Sequence, residues 1–214
     1  MIENLLALIN SKYPLQALDA GEYSKMKVSG MNFSISAYQA QGLGHVSTMS
    51  AKGFFGMMKM DTLIIVPDKK DLPLYSYDWI VAMGKGKLYN ELYNTIVGSF
   101  DASALEKVKN QFTGLLDFDP GKHWYDDIKL PQSLFKSSKD LAALEKVATA
   151  FLKTFLDIKA EDTTDFDLKH KKSAAYVAGL LNNGGPSTDV FLKKFGKEKT
   201  TALFEKVLFG TGLN

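Results

Sequence analysis

The chain reads as an α+β protein, with helices packed on an antiparallel sheet. Two observations predict this. Residues Lys25 to Val97 are rich in Gly, Ser, Thr, Tyr and β-branched side chains in short alternating stretches, the period of half-buried strands. From Ser99 onward apolar residues recur every three or four positions, the period of helices. A strand-rich centre followed by a helix-rich end keeps the two kinds of element apart, which favours α+β over interleaved βαβ units. The 214 residues are 45% hydrophobic and 23% charged, enough for a sizeable core, and a single domain over residues 1–214 is expected.

Taken in order, Met1 to Leu18 reads as an amphipathic helix, apolar at Leu5, Leu6, Leu8 and Ile9, with a break at Pro14. Five strands follow: Asn32–Gln39, Gly44–Ser50, Phe54–Val66, Leu74–Ala82 and Lys87–Val97. Turn signals separate them at Gly42 and Gly44, Lys52-Gly53, Asp68-Lys69-Lys70-Asp71 and Gly84-Lys85-Gly86. Connections this short join antiparallel neighbours, so the strands form a meander. Asp101 or Ser103 caps a helix through Leu105, Val108, Phe112 and Leu115–Leu116. A loop with Pro120-Gly121, His123, Trp124 and Pro131 comes next. Asp140 opens the clearest helix, Leu141 to Ile158, with Leu144, Val147, Ala148, Phe151, Phe155 and Leu156 on one side. An acidic linker from Glu161 to Asp167 precedes a helix from about Leu168 to Leu181. Asn182-Asn183-Gly184-Gly185-Pro186 breaks it, and one or two last helices cover Thr188 to Leu208.

Composition excludes several chemistries. With no cysteine there is no disulfide, thiolate metal site, iron–sulfur ligation or cysteine nucleophile. His45, His123 and His170 are far apart in sequence, and no Asp or Glu group has a metal-ligand spacing, so no metal is expected. The N-terminus has no basic stretch before its apolar residues, and no apolar run approaches the ~18 residues of a membrane span. The expected location is the cytoplasm, without membrane association. A net charge of +2 gives no reason to invoke nucleic acid. All 26 basic residues are lysines, so an anionic ligand must be met by Lys, backbone N–H groups or hydroxyls instead of an arginine fork.

Gly84-Lys85-Gly86-Lys87 lacks the phosphate-loop spacing and does not lead from a strand into a helix, so it reads as a hairpin turn. Gly42-Leu43-Gly44 lacks the third glycine of a dinucleotide fingerprint. Asp162, Asp165 and Asp167 read as a solvated linker. Lys169, Lys171, Lys172, Lys193, Lys194, Lys197 and Lys199 are either a solvated helix face or a docking surface for an acidic protein.

The segment Asp61 to Trp79 carries the strongest chemical signal. Alternation from Leu74 puts Ser76 and Asp78 on one face of a strand and Tyr75, Tyr77 and Trp79 on the other. A carboxylate inside such a strand is unfavourable unless it is paired or serves chemistry. Facing an apolar cavity it would hold its proton more tightly, as suits a proton donor near neutral pH; structurally bonded or exposed, it would be inert.

At this segment the chain resembles the ferredoxin-dependent bilin reductases. These enzymes carry a strand, a turn, then Leu-Pro-apolar-aromatic-small-x-Asp, here Leu72-Pro73-Leu74-Tyr75-Ser76-Tyr77-Asp78. Trp124 and Ser133-Leu134-Phe135 are similar to the family's Trp-containing loop before its long helix. Tyr176 through Asn183, Val190 through Glu198, and Lys206-Val207-Leu208-Phe209 are similar to its Tyr, Asn and Phe-Gly run and its closing Val-Leu-Phe. The plant red chlorophyll catabolite reductases resemble the Pro67–Trp79 turn about as well. The resemblance implies an α/β/α three-layer sandwich, with a linear tetrapyrrole bound between the sheet and the C-terminal helices. It also implies reduction without bound metal or flavin. Electrons come singly from reduced ferredoxin through a bilin radical, and the protein supplies protons.

By the same resemblance Asp78 matches the proton-donating Asp. Asp61 or Thr62 stands where the family often has His or Asn on the preceding strand, and Asn183 matches its Asn. With Ser76 these are the expected substrate-binding residues, and ferredoxin is expected to dock on the lysine-rich surface. The chain departs from the family in having Gly184 where an Asp follows the Asn, and in having no arginine for the propionates. The alternative is a protein that binds a tetrapyrrole or another hydrophobic ligand without reducing it.

Overall fold

A computed structural model of the chain describes residues 1–53 and 56–212. The first helix, α1 (Ile2–Lys12), ends where Pro14 forces the residue before it into extended backbone, with Tyr13 at φ −128° and ψ 99°. The chain then runs as strand β1 (Leu15–Leu18) where helix was expected. The strands β2 (Lys25–Val28), β3 (Met31–Ala40), β4 (Gly44–Gly53), β5 (Met58–Pro67), β6 (Leu74–Ala82) and β7 (Lys85–Tyr93) follow. Helix α2 (Ser103–Gln111) and strands β8 (Leu116–Asp117) and β9 (Leu134–Ser138) come next. Helices α3 (Leu141–Asp157), α4 (Phe166–Asn183) and α5 (Pro186–Ala202) and a π-helical segment, Leu203–Leu208, complete it.

Among the described residues nine strands form one antiparallel sheet, in the order β1-β3-β4-β5-β6-β7-β9-β8, with β2 sharing the β3 edge with β1. The expected meander is β3 to β7. Its β6 has the bounds Leu74–Ala82 expected from sequence, and the expected start of the third strand at Phe54 lies outside the described residues. Lys87–Val97 corrects to Lys85–Tyr93. Leu115–Leu116, expected as helix, lies beyond α2, with Leu116 in β8. β9 occupies what read as loop, because Lys136, Ser137 and Ser138 hide the alternation of a buried strand.

Met83 and Gly84 alone join β6 to β7, with φ of 51° and 75°. Positive φ at both centres is the turn whose twist matches paired strands, and this fixes the hairpin's register at Ala82↔Lys85.

Strand alternation divides the core into two layers. On one face Leu63, Ile65, Tyr75, Tyr77, Leu88 and Leu92 are buried beneath α1 and α3. Asp140 caps α3 by accepting from the Ala143 N–H at 3.0 Å, and Leu144, Val147, Phe151 and Phe155 form its buried stripe. Tyr75 stacks on Phe155 and Phe151 at 5.1 and 6.1 Å between ring centres. Truncating either phenylalanine to Ala would cost about 3–5 kcal/mol.

On the other face Phe33, Ile35, Met49, Ile64, Leu74 and Tyr93 pack against Tyr176, Val177, Phe191, Phe204 and Leu208 of the C-terminal helices. The sheet is therefore the middle layer of three. The C-terminal layer bends twice, at Gly196 inside α5 (φ 75°) and at the π-helical segment, where the Phe209 N–H donates to the Phe204 carbonyl at 2.9 Å. No helix of the described residues is long and apolar enough to cross a membrane.

Candidate functional site

Two neighbouring cross-strand rows build the floor of a cavity on the C-terminal face. One runs Met49, Thr62, Asp78, Tyr89; the next runs Ser47, Ile64, Ser76, Glu91. Residues directly opposite one another in antiparallel strands point to the same side. Met49, Thr62, Ile64, Ser76, Asp78 and Glu91 line a cavity of about 150 Å³. Its opposite wall is Tyr176 and Leu180 of α4, the Gly184–Gly185 turn, and Phe204, Leu208 and Phe209. His123, Trp124 and Tyr125, on the long excursion from β7 to β9, line it as well.

These walls are mostly aromatic. Tyr93 lies 4.4 Å from Tyr176 and 5.3 Å from Tyr125 between ring centres, and Trp124 lies 5.3 Å from Tyr125 and 5.8 Å from Tyr176. His123 stacks on Tyr125 at 4.8 Å. This volume is below the ~300 Å³ of common ligand sites and the cavity is open to solvent, so a large ligand would extend through the mouth.

The Thr62 hydroxyl donates to Asp78 Oδ1, the one hydrogen bond of this carboxyl among the described residues. Oδ2 is left to the cavity. Burial pushes the Asp78 carboxyl up to about 7; the Thr62 hydroxyl pulls against this and the neighbouring Glu91 adds to it. Near neutral pH the group is thus divided between acid and carboxylate, the condition of an efficient proton donor. Burial also raises Glu91, opposed by Lys129, whose ammonium lies 3.9 Å from Oε1, and by the Tyr93 hydroxyl. Tyr93 and Tyr176 are pushed well above the ordinary phenol range, again by burial, and remain neutral.

Of the expected site residues the fold brings Asp78, Thr62 and Ser76 together. Asp61 is one residue from Thr62 and so faces the opposite side of the sheet, where it accepts from the Ser50 hydroxyl at 2.5 Å and lines a groove beside Met1 and Glu3. Asn183 is exposed at the end of α4, and its amide donates back to the Gly179 carbonyl at 3.0 Å instead of entering the cavity.

The lysine surface also needs correction. Lys169 is buried and pairs with Asp71 at 3.1 Å, and Lys172 donates to the Ile96 carbonyl. Lys171, Lys193, Lys194 and Lys197 are exposed, and Lys199 is exposed but pairs with Glu22 at 3.1 Å. Glu91 and Tyr93 were not foreseen. The signal for both was the two-residue turn: once Ala82 pairs with Lys85, Glu91 must lie opposite Ser76 and Tyr93 opposite Leu74.

A second, more polar cavity of about 370 Å³ lies further along α4, lined by His45, Asp68, His170 and Thr211 among others. It is larger, but Asp78 does not line it, and the His45 imidazole there is pushed down by burial and engaged with the Val207 carbonyl at 2.8 Å. Among the described residues no three His, Cys, Asp or Glu side chains gather as a metal site.

No family model matches the chain, and no curated protein matches it in sequence. Its fold does have solved counterparts. Phytochromobilin synthase from tomato, crystallised in complex with biliverdin, superposes with a TM-score of 0.76 over 100% of this chain and 84% of the tomato chain, at 14% identity. At that identity the likeness establishes the fold: helices on both faces of a large antiparallel sheet.

Proposed function

We propose that this chain binds a linear tetrapyrrole at the Asp78 cavity and reduces one of its double bonds. Electrons are taken one at a time from reduced ferredoxin, and Asp78 supplies a proton. The observation that carries this reading is the Asp78 carboxyl itself, raised to about 7 on the floor of an aromatic-walled cavity. A structural carboxylate would be met by donors that hold it ionised. This one accepts a single hydroxyl hydrogen bond, is buried and has the Glu91 carboxyl nearby, so it keeps its proton at a pH where an exposed Asp has lost it.

The aromatic walls suit a flat conjugated ligand, and the biliverdin in the tomato structure supports that ligand class for the shared fold. When Asp78 gives up its proton, the Thr62 hydroxyl stabilises the carboxylate left behind, and Ser76 offers a second hydroxyl on the same face. No resident metal or flavin takes part in this scheme, and the cytoplasm is where the chain would meet its donor.

A test begins with biliverdin titrated into the protein and followed by visible absorbance. Ferredoxin, its reductase and NADPH are then added without oxygen. Binding should shift the spectrum, and reduction should shift it again; Asp78→Asn should keep the first change and lose the second. Spectra unmoved by biliverdin or a chlorophyll catabolite would overturn the ligand class. Wild-type turnover by Asp78→Asn would overturn the donor role.

A second reading, binding without reduction, draws on the modest cavity volume and on Thr62 and Gly184, where the resembling enzymes carry other residues. Binding of biliverdin with no ferredoxin-dependent change would select it.

A further inference from the structure

Glu91 stands beside Asp78 on the cavity floor. Asp78 pairs with Tyr89 across β6 and β7, and Glu91 is two residues further along β7, on the same face. Diagonal neighbours of this kind have side chains within about 7–8 Å of one another. Glu91 is 6% exposed, lines the cavity, and its Oε1 is buried without a hydrogen bond. Leaving a carboxyl oxygen in that state is costly, and nothing in the pairing of β7 requires an acid there.

A long ion pair with Lys129 offsets only part of that cost. The Lys129 ammonium is 3.9 Å from Glu91 Oε1, beyond hydrogen-bonding reach, but 2.6 Å from Asp126 Oδ1. The charged groups facing Glu91 are therefore Asp78 on β6 and Lys129 and Asp126 on the β7–β9 excursion, with the neutral phenols of Tyr93, Tyr125 and Tyr176 completing the shell. Side-chain exposure rises along this chain of groups from 8% at Glu91 to 15% at Lys129 and 36% at Asp126. It leads from the cavity to water.

We propose that Glu91 is a second proton donor of this site, restocked from solvent by way of Lys129 and Asp126. The assignment rests on the reductive reading above. Reducing one carbon–carbon double bond adds two electrons and two protons. Reduced ferredoxin gives the electrons; one proton leaves Asp78 and the other leaves Glu91. Each carboxylate then regains a proton that came from water. Two neighbouring acids also keep one another protonated, since the loss of a proton from one makes loss from the other harder.

The experiment has two arms. In the ligand-free protein, carbon-13 NMR titration of side-chain carboxyls should show Glu91 titrating above ordinary glutamates. Its midpoint should fall in Asp78→Asn and rise in Lys129→Met. With biliverdin and reduced ferredoxin, Glu91→Gln should bind within threefold of wild type yet turn over about a hundredfold more slowly, the usual worth of a general acid. A half-reduced radical should accumulate, visible by electron paramagnetic resonance, and Glu91→Asp should recover part of the rate. Glu91→Gln turning over at the wild-type rate overturns the assignment alone. Wild-type protein that leaves biliverdin unreduced overturns the reductive reading and this one together. A Glu91 midpoint indifferent to both substitutions overturns the coupling to Asp78 and Lys129.

Discussion

The indole of Trp124 occupies the space that a side chain at Gly179 would need. A Cβ at position 179 would stand 2.2 Å from Trp124 Cη2 and 2.4 Å from Cζ3. Gly179 lies inside α4, where glycine costs about 1 kcal/mol relative to alanine, so this helix forgoes stability to let the loop bearing His123, Trp124 and Tyr125 lie against it.

Gly179→Ala should therefore behave opposite to the usual helix substitution. It should lower stability by about 1–2 kcal/mol, despite the gain in helix propensity, because a rigid ring must move. Tryptophan fluorescence in a Trp79→Phe background reports the displacement, and ligand affinity should drop with it. An unshifted emission spectrum and a raised melting temperature would contradict the close contact.

Asp78 should make the fold less stable as pH rises. Its carboxyl sits near 7 when folded and about 3.9 when unfolded, so the folded state holds the proton more tightly. That contribution is complete below about pH 4, declines as pH rises through 7, and is flat above. Three pK units correspond to roughly 4 kcal/mol at most. Asp78→Asn cannot ionise, so urea unfolding should show it more stable than wild type at pH 8 and nearly equal at pH 4. A residual slope of the same sign should survive from Glu91, which is raised in the same direction.

Thr62→Val removes the hydroxyl that favours the ionised form of Asp78 and keeps the shape of the side chain. The carboxyl should rise further, by roughly one unit for a hydrogen bond to a charged group. The alkaline limb of any proton-transfer rate should move up by the same amount. The pH–rate profile measures it directly, and a profile identical to wild type would mean the hydroxyl does not tune the acid.

The Asp71–Lys169 pair should be costly to break from one side. Burial alone would raise Asp71, but the Gly98 and Val97 N–H groups and Lys169 outweigh it and hold the carboxyl below its ordinary value. Lys169 is pulled down by burial against the upward pull of Asp71, and its ammonium also donates to the Leu72 carbonyl. Lys169→Met leaves a buried carboxylate with backbone donors only and should cost about 3–5 kcal/mol. Adding Asp71→Asn should restore part of the loss, a coupling that a double-mutant cycle in urea would reveal. Asp71 contributes stability above its unfolded value near 3.9 that disappears as pH falls through its folded value.

Met83→Asn should stabilise the protein by about 0.5–1 kcal/mol, because asparagine tolerates the positive φ of the β6–β7 turn better than methionine. The Met83 side chain is 92% exposed and little packing is lost. Thermal melting is sufficient to check this.

What could be read from the sequence follows from how each element is held. β6 was legible to the residue because Pro73 and Gly84 punctuate it and Tyr75 to Trp79 alternate cleanly. The same alternation put Asp78 and Ser76 on one face. α3 was legible through Asp140 and its apolar stripe. The edge strands β1 and β2 were not: Gln16, Ala17 and Leu18 are all exposed, and in the four residues of β2 only Met26 and Val28 face the core, so pairing with β3 holds them and the hydrophobic imprint is slight. Asp61 and Thr62 stood as alternatives because one residue decides the face of a strand, and the family resemblance does not resolve one residue. Lys169 was misread because its partner Asp71 lies 98 positions away.

The floor and the roof of the cavity come from opposite ends of the chain. Met49, Thr62, Ile64, Ser76, Asp78, Glu91 and Tyr93 all precede α2, whereas Tyr176, Leu180, Phe204 and Phe209 belong to elements made after it. While the chain is being made, the meander can form with its upper face still open to water. In that interval Asp78 is an ordinary carboxylic acid, charged in the cell. It takes up its proton only as the C-terminal layer settles. The raised pKa of the Asp78 carboxyl is therefore not written into any single strand. It is acquired at the end of assembly, and its titration records whether the chain has finished folding.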